Sequence, residues 1–310
     1  MRRIFKTIED HLTECTTLEK GVWVHLQSPT KEEVDGLTTR FNLDPTFLPA
    51  ALDEEESARI DYDSDKQQTL IIVDIPYVDT EGTGYVYSTI PLGIVLCDEV
   101  IITVCTRDTP IINDFTEERI RNFWTFKRTR FILQILQRNA GRFLSYLKQI
   151  DKTSQHIQEK LEHTSRNQEL LQMMKLEKSL VYFNTSLKGN ALVMERLMRQ
   201  DILKRYPEDT DLLEDVIIEN KQAMEMCSIY RDIMSNTTDA FASIINNNLN
   251  ITMKVLTALT VLFAVPTLVM TIWGINVPVP FERQAWGFAA VCGISIILTC
   301  LLYTSPSPRD

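Results

Sequence analysis

Twenty-seven consecutive residues, Val255 to Phe281, carry no charged side chain, and this run constrains the chain more than any other feature. About 20 mostly apolar residues are enough to cross the hydrocarbon core of a bilayer as a helix. A second uncharged stretch opens at Gln284, just past Glu282 and Arg283, and reaches a spanning length only if it is read to about Tyr303. The expectation is a hairpin of spans at the C-terminal end, preceded by one large soluble part. That part opens Met1-Arg2-Arg3-Ile4-Phe5 and meets Lys6, Glu9 and Asp10 at once, so it shows no apolar signal core. It is therefore expected in the cytoplasm, and the whole as a multi-pass protein of the cell membrane.

Acidic residues outnumber basic ones 42 to 32, for a net charge of −10. Such a surface repels phosphate backbones and attracts cations, which argues against nucleic acid as a partner. The six cysteines form no C-x-x-C pair and read as free cytoplasmic thiols. No P-loop, G-x-S-x-G or H-E-x-x-H motif is present, so nothing points to an enzyme.

Residues 1–116 alternate strand-like and helix-like segments. Strands are expected at 21–26, 69–75, 85–96 and 100–105, with turn chemistry at Gly82-Thr83-Gly84 and Cys97-Asp98-Glu99. A helix is expected to start at Ser28-Pro29-Thr30, with a cap residue followed by proline, and another at Asp44-Pro45. This is an α/β domain with a mixed sheet. Residues 117–206 turn to helical periodicity, with Phe131, Ile135, Phe143 and Leu147 on one predicted face and Leu170, Leu171, Met174, Leu180 and Val181 on another. A stalk helix is expected over 207–252, capped by Asp209 or Thr210, with an apolar stripe of Leu213, Ile217, Met224, Cys227, Ile233 and Met234. It should continue into a first span at 253–275, an outer loop at 276–284 and a second span beginning at 285–299. Residues 300–310 read as translated library-adapter sequence rather than native protein, which would leave that second span short of the roughly 20 residues needed.

Within the first span Asn250, Met253, Leu256, Thr260, Ala264, Thr267, Thr271 and Gly274 recur every three or four residues. Polar groups in such a stripe are costly against lipid and should meet protein or water. The span ends Trp273-Gly274-Ile275-Asn276, placing an amide at the membrane surface. Magnesium gives up its waters reluctantly, so neutral oxygens that accept from the hydrated ion suit it.

Met253-Lys254-Val255-Leu256-Thr257 and Trp273-Gly274-Ile275-Asn276, with Trp23, Ser28-Pro29-Thr30, Ala51-Leu52-Asp53-Glu54-Glu55 and Arg59-Ile60, resemble the CorA-type divalent metal ion transporters. That family's signatures are Met-Lys-Val-Leu-Thr near the start of the first span and Tyr-Gly-Met-Asn at its end. The resemblance implies a funnel-shaped homopentamer in the lipid bilayer, its pore lined by five first spans, carrying hydrated Mg²⁺ inward and in some members Co²⁺ or Ni²⁺. It assigns Gly274, Ile275 and Asn276 to the selectivity filter, with Asn276 and Asn250 holding the ion through its water shell. Met253, Leu256, Thr260, Ala264, Thr267 and Thr271 would line the pore, and the register puts Asp239 at its cytoplasmic mouth. It also puts Asp215 at a regulatory metal site between subunits, with Asp53–Glu56 or Asp98-Glu99 as candidate acidic partners. Ile275 stands where the signature has methionine, as in the zinc-transporting branch, which leaves Zn²⁺ or a broader divalent range as the alternative. A membrane-anchored sensor or scaffold shares the same outline but has no use for the amide and threonine stripe.

Overall fold

The computed structural model describes residues 1–81, 84–98, 100–163, 167–199, 206–274 and 284–304, in two compact units, Met1–Thr238 and Asp239–Asp310. The first unit is built on one seven-stranded sheet. Its strands are β1 (Arg2–Ile8), β2 (His11–Glu14), β3 (Val22–Gln27), β4 (Arg59–Asp63), β5 (Gln68–Glu81), β6 (Gly84–Leu96) and β7 (Val100–Cys105), in spatial order β2-β1-β3-β7-β6-β5-β4. Only β3 and β7 pair in parallel, and every other neighbour is antiparallel, so the sheet is mixed as expected. All six residues of β7 and the first five of β3 are buried, as continuous apolar runs demand when both sheet faces are covered. Strands β1, β2 and β4 were not predicted. Their sequences are rich in charge, and β4 buries only Ile60.

Helices α1 (Lys31–Arg40) and α2 (Phe47–Ala50) cover one face, where Val34, Leu37, Phe47 and Leu48 pack against Val24, Leu26, Ile72 and Ile102. The other face carries α3 (Pro110–Thr116), α4 (Arg128–His163), α5 (Asn167–Arg199) and the start of α6 (Pro207–Trp273). There Ile111, Phe131, Ile135, Val193, Leu213 and Val216 meet Ile71, Val73, Ile94 and Ile101. Trp23 is the anchor of this core. Its ring centroid lies 4.8 Å from Phe5 and 5.0 Å from Phe131, and its indole N–H donates to Thr103 Oγ1 at 2.8 Å. The buried polar tip is thereby satisfied.

Local chemistry moves several helix starts from their predicted places. Thr30, not Ser28, caps α1, in a box with Glu33, because Ser28 and Pro29 lie before the first turn. Helix α6 opens at Pro207, whose missing N–H costs nothing at a first helical position. The Asp209 carboxylate accepts from the Tyr206 N–H at 3.4 Å, so this side chain reaches back over the first turn instead of standing at the cap. The buried face of α6 is Leu213, Val216, Asn220, Ala223, Cys227 and Met234, while Ile233 is exposed. On α5 the core face is Met173, Leu176, Leu180, Phe183 and Leu187, whereas Leu171, Met174 and Val181 are exposed. The predicted stripes are therefore right in part: Leu213, Cys227 and Met234 of α6 and Leu180 of α5 are buried, and the remaining predicted residues are half-buried or exposed.

In the second unit, α6 continues to Trp273 and is followed by α7 (Gly287–Thr304), which runs without interruption across residue 299. Gly82, Thr83 and Glu99 of the predicted turns, Ile275 and Asn276 of the predicted filter and the tail from Ser305 lie outside the described residues.

Candidate functional site

Among the described residues one helix, α6, is long and apolar enough to cross a membrane, and none of its apolar window is buried inside the chain. Gly287–Leu301 forms a shorter apolar helix. A helix that is apolar and unburied in a single chain needs lipid, other copies of itself, or both.

The predicted stripe occupies one side of α6. At 100° per residue, Asp239, Asn250, Met253, Leu256, Thr260, Ala264, Thr267, Thr271 and Gly274 fall within an arc of about 120°. All nine are exposed. The threonines on this arc share one hydrogen-bonding habit. Thr260 Oγ1 donates to Leu256 O at 2.8 Å, Thr267 Oγ1 to Phe263 O at 2.7 Å and Thr271 Oγ1 to Thr267 O at 2.6 Å. Each hydroxyl proton is thus used within the helix, and the oxygen is left as an acceptor facing outward. The three threonines thus present acceptor oxygens along this side of the helix, and Asn250 adds an amide that can both accept and donate. Ala264, small between Thr260 and Thr267, leaves a shallow hollow that Phe263, Leu268 and Ile272 also border.

The arc closes at Gly274, whose N–H still donates to Met270 O at 2.9 Å. A β-carbon added there would lie 3.2 Å from that same carbonyl. Glycine therefore keeps the last turn uncrowded rather than supplying a left-handed conformation.

In the first unit Asp215 and Glu214 are exposed on α6, and Glu219 is half-buried one turn on. Burial raises the Glu219 carboxyl above its ordinary value, and the negative charge of Asp215 raises it further. Among the described residues no group of three or more His, Cys, Asp or Glu side chains is placed to hold a metal ion. Of the candidate acidic partners, Glu56 pairs with Arg59, and Glu54 approaches Arg107 at 3.7 Å; Asp53 and Asp98 are exposed.

Sequence reasoning missed a polar knot behind the sheet. Asn190 Oδ1 accepts from the Asp74 N–H at 2.9 Å, and Asn139 Nδ2 and Asn190 Nδ2 both donate to the Asp74 carbonyl at 2.8 Å. The available signal was an aspartate inside the apolar run Leu70–Ile75.

The family model and the curated relatives define a membrane transporter of divalent cations, not an enzyme. The model of the family described as CorA-like Mg2+ transporter protein matches residues 19–304, so the chain belongs to the CorA-like Mg²⁺ transporter family. It is 25% identical over 287 residues to the cobalt/magnesium transport protein CorA of Methanocaldococcus jannaschii, covering 89% of this chain and 87% of that one. It is 23% identical to the magnesium transport protein CorA of Wolinella succinogenes, covering 97% and 93%. The complete structure of the M. jannaschii CorA magnesium transporter superposes with a TM-score of 0.81 at 21% identity, over 99% of this chain and 98% of that one, which establishes the shared fold.

Proposed function

We propose that five copies of this chain form a pore for hydrated Mg²⁺, lined by the exposed arc of α6 and filtered at its outer end by Gly274, Ile275 and Asn276. The observation that carries this reading is the arc itself. Outward-facing threonine oxygens with their protons spent on the helix are costly in lipid and useful against a hydrated cation. Relatives named for magnesium and for cobalt/magnesium transport support the choice of ion. Met253 and Leu256 form a hydrophobic constriction one turn inside Asn250, with Asp239 concentrating cations at the cytoplasmic mouth. Mg²⁺ bound at Asp215 closes the pore from within the cell. Asp215 already raises the carboxyl of Glu219, so the helix surface there is strongly negative. Facing an acidic surface of the neighbouring subunit it repels without a cation and is bridged with one, and that difference is what shifts a two-state equilibrium.

The test is Mg²⁺ uptake into vesicles containing the purified protein. Asn276→Ala is expected to abolish uptake while leaving the oligomer intact, because a methyl group accepts nothing from the hydration shell. Wild-type uptake by an assembled Asn276→Ala protein would refute the filter. Ile275 favours one second reading, transport of Zn²⁺, and uptake that prefers Zn²⁺ over Mg²⁺ in the same vesicles would select it.

A further inference from the structure

A cavity of about 720 Å³ in the first unit is lined by Phe126, Lys127, Arg128 and Arg130 on one side and by Tyr206, Glu208 and Asp209 on the other. Its size falls within the roughly 300–1,000 Å³ of small-molecule pockets. Two helices begin at its wall, α4 at Arg128 and α6 at Pro207. The start of a helix carries partial positive charge and is normally furnished with acids. Helix α6 obeys this rule with Glu208 and Asp209, but α4 has no acidic residue in its first turn. It has Lys127, Arg128 and Arg130 instead, so positive side chains stand on a positive helix end in a chain whose net charge is −10.

The contacts of these cations leave capacity to spare. Arg128 Nη1 donates to the Cys97 carbonyl. Lys127 Nζ lies 3.8 Å above the Trp124 ring. Arg130 Nη1 meets Glu208 at 3.1 Å and Asp209 at 3.8 Å, while its Nε is buried with no hydrogen-bond partner. A link between α4 and α6 alone would need only Arg130. It would not explain Lys127 and Arg128 or the open volume. At the rim two aromatic rings, Phe126 at 57% exposure and Tyr206 at 63%, are left to water.

We infer that this cavity binds a nucleotide, its phosphates held by Lys127, Arg128, Arg130 and the first-turn N–H groups of α4, its base resting on the exposed aromatic rim. Helix N-termini and guanidinium groups are the donors that phosphates match best, and a flat ring is the natural support for a base. The inference needs no divalent cation and does not depend on the proposed pore, so the two fail separately.

The test is calorimetric titration of the full chain in detergent, freed of metal with EDTA, with ATP, tripolyphosphate and adenosine as probes. Saturable ATP binding is expected, weaker binding of tripolyphosphate and none of adenosine. Lys127→Glu and Arg130→Gln should each weaken ATP by about tenfold or more. Lys127 is exposed, so Lys127→Glu should leave the melting temperature unchanged and remains informative if Arg130→Gln unfolds the contact with α6. No saturable ATP binding at millimolar nucleotide, or unchanged ATP affinity in Lys127→Glu, would overturn the site. Tripolyphosphate binding as tightly as ATP would overturn the aromatic half of it, and adenosine binding as tightly as ATP the phosphate half.

Discussion

Replacing Asp74 by asparagine should stabilise the protein at neutral pH and do nothing at low pH. Burial behind the sheet pushes the Asp74 carboxyl up to about 6 from an ordinary 3.8, with the Ser186 hydroxyl offsetting only part of the effect. The carboxyl is harder to ionise in the folded chain than in the unfolded one. Its stabilising contribution is therefore fully present below about pH 3.8 and is lost as the pH rises through 6. That gap corresponds to about 3 kcal/mol at 1.36 kcal/mol per pH unit, and the partial exposure of the side chain reduces it to about 1–2 kcal/mol. Asparagine keeps the backbone bonds to Asn139 and Asn190, since these engage the main chain of residue 74. It also keeps an oxygen for Ser186 while carrying no charge. For a unit of this size the gain is about 2–8 °C in melting temperature at pH 7.5, shrinking towards zero near pH 4. Thermal unfolding of both proteins across that range is the assay. A gain of equal size at both pH values, or a loss at pH 7.5, would refute the argument that charge burial is the cause.

Gly93→Ala should destabilise the first unit by about 1–3 kcal/mol, since the new β-carbon would stand 2.2 Å from the Ala51 β-carbon at the end of α2; denaturant unfolding measures it. Leu256→Asn should raise Mg²⁺ leak in vesicles held under high internal Mg²⁺, because a polar ring keeps the constriction wet; unchanged leak would move the gate elsewhere. Asp215→Lys should supply a permanent positive charge and make closure independent of internal Mg²⁺. In Asp215→Ala, several-fold more Mg²⁺ should be needed to protect the chain from protease, and protection at the wild-type concentration would remove Asp215 from the sensor.

The parts of this structure that the sequence made legible are those where one physical requirement acts alone. An uncharged run of 27 residues has few uses besides crossing a bilayer, and the spacing of Thr260, Thr267 and Thr271 places them on one side of any helix. The buried strands β3 and β7 were equally plain, since Val, Ile and Trp in short runs satisfy both β preference and burial. Edge strands β2 and β4 were not, because hydrogen bonding to one neighbour leaves their side chains free to be charged. The faces of α5 and α6 were misjudged where apolar residues occur on more than one side, as at Leu171 and Ile233, and only contact with the sheet decides between them. The polar knot at Asp74 depends on residues brought together from distant segments, so spacing alone could not reveal it. Lys127, Arg128 and Arg130 are neighbours in sequence, and what spacing could not show is that Tyr206, Glu208 and Asp209 line a cavity with them.

The parallel pairing of β3 with β7 sets an order of events during synthesis. Strands β4 to β7 form an antiparallel meander from consecutive segments and can assemble as they emerge. Strand β3 precedes them, yet its partner lies 78 residues further along, as for His25 and Thr103. At about 5–20 residues per second, β3 waits some 4–16 s for β7 to be made. Throughout that interval Val22-Trp23-Val24, wholly buried at the end, present an apolar strand with an open edge to everything nearby, the situation in which strands pair with the wrong partner. Trp23 must wait longer still, until Phe131 of α4 has been added. The hairpin of β1 with β2 is already made and hydrogen-bonded to β3 on its other side. Helices α1 and α2, made before β4, can cover Val24 and Leu26 from one face, so the open edge towards β7 is what stays unguarded.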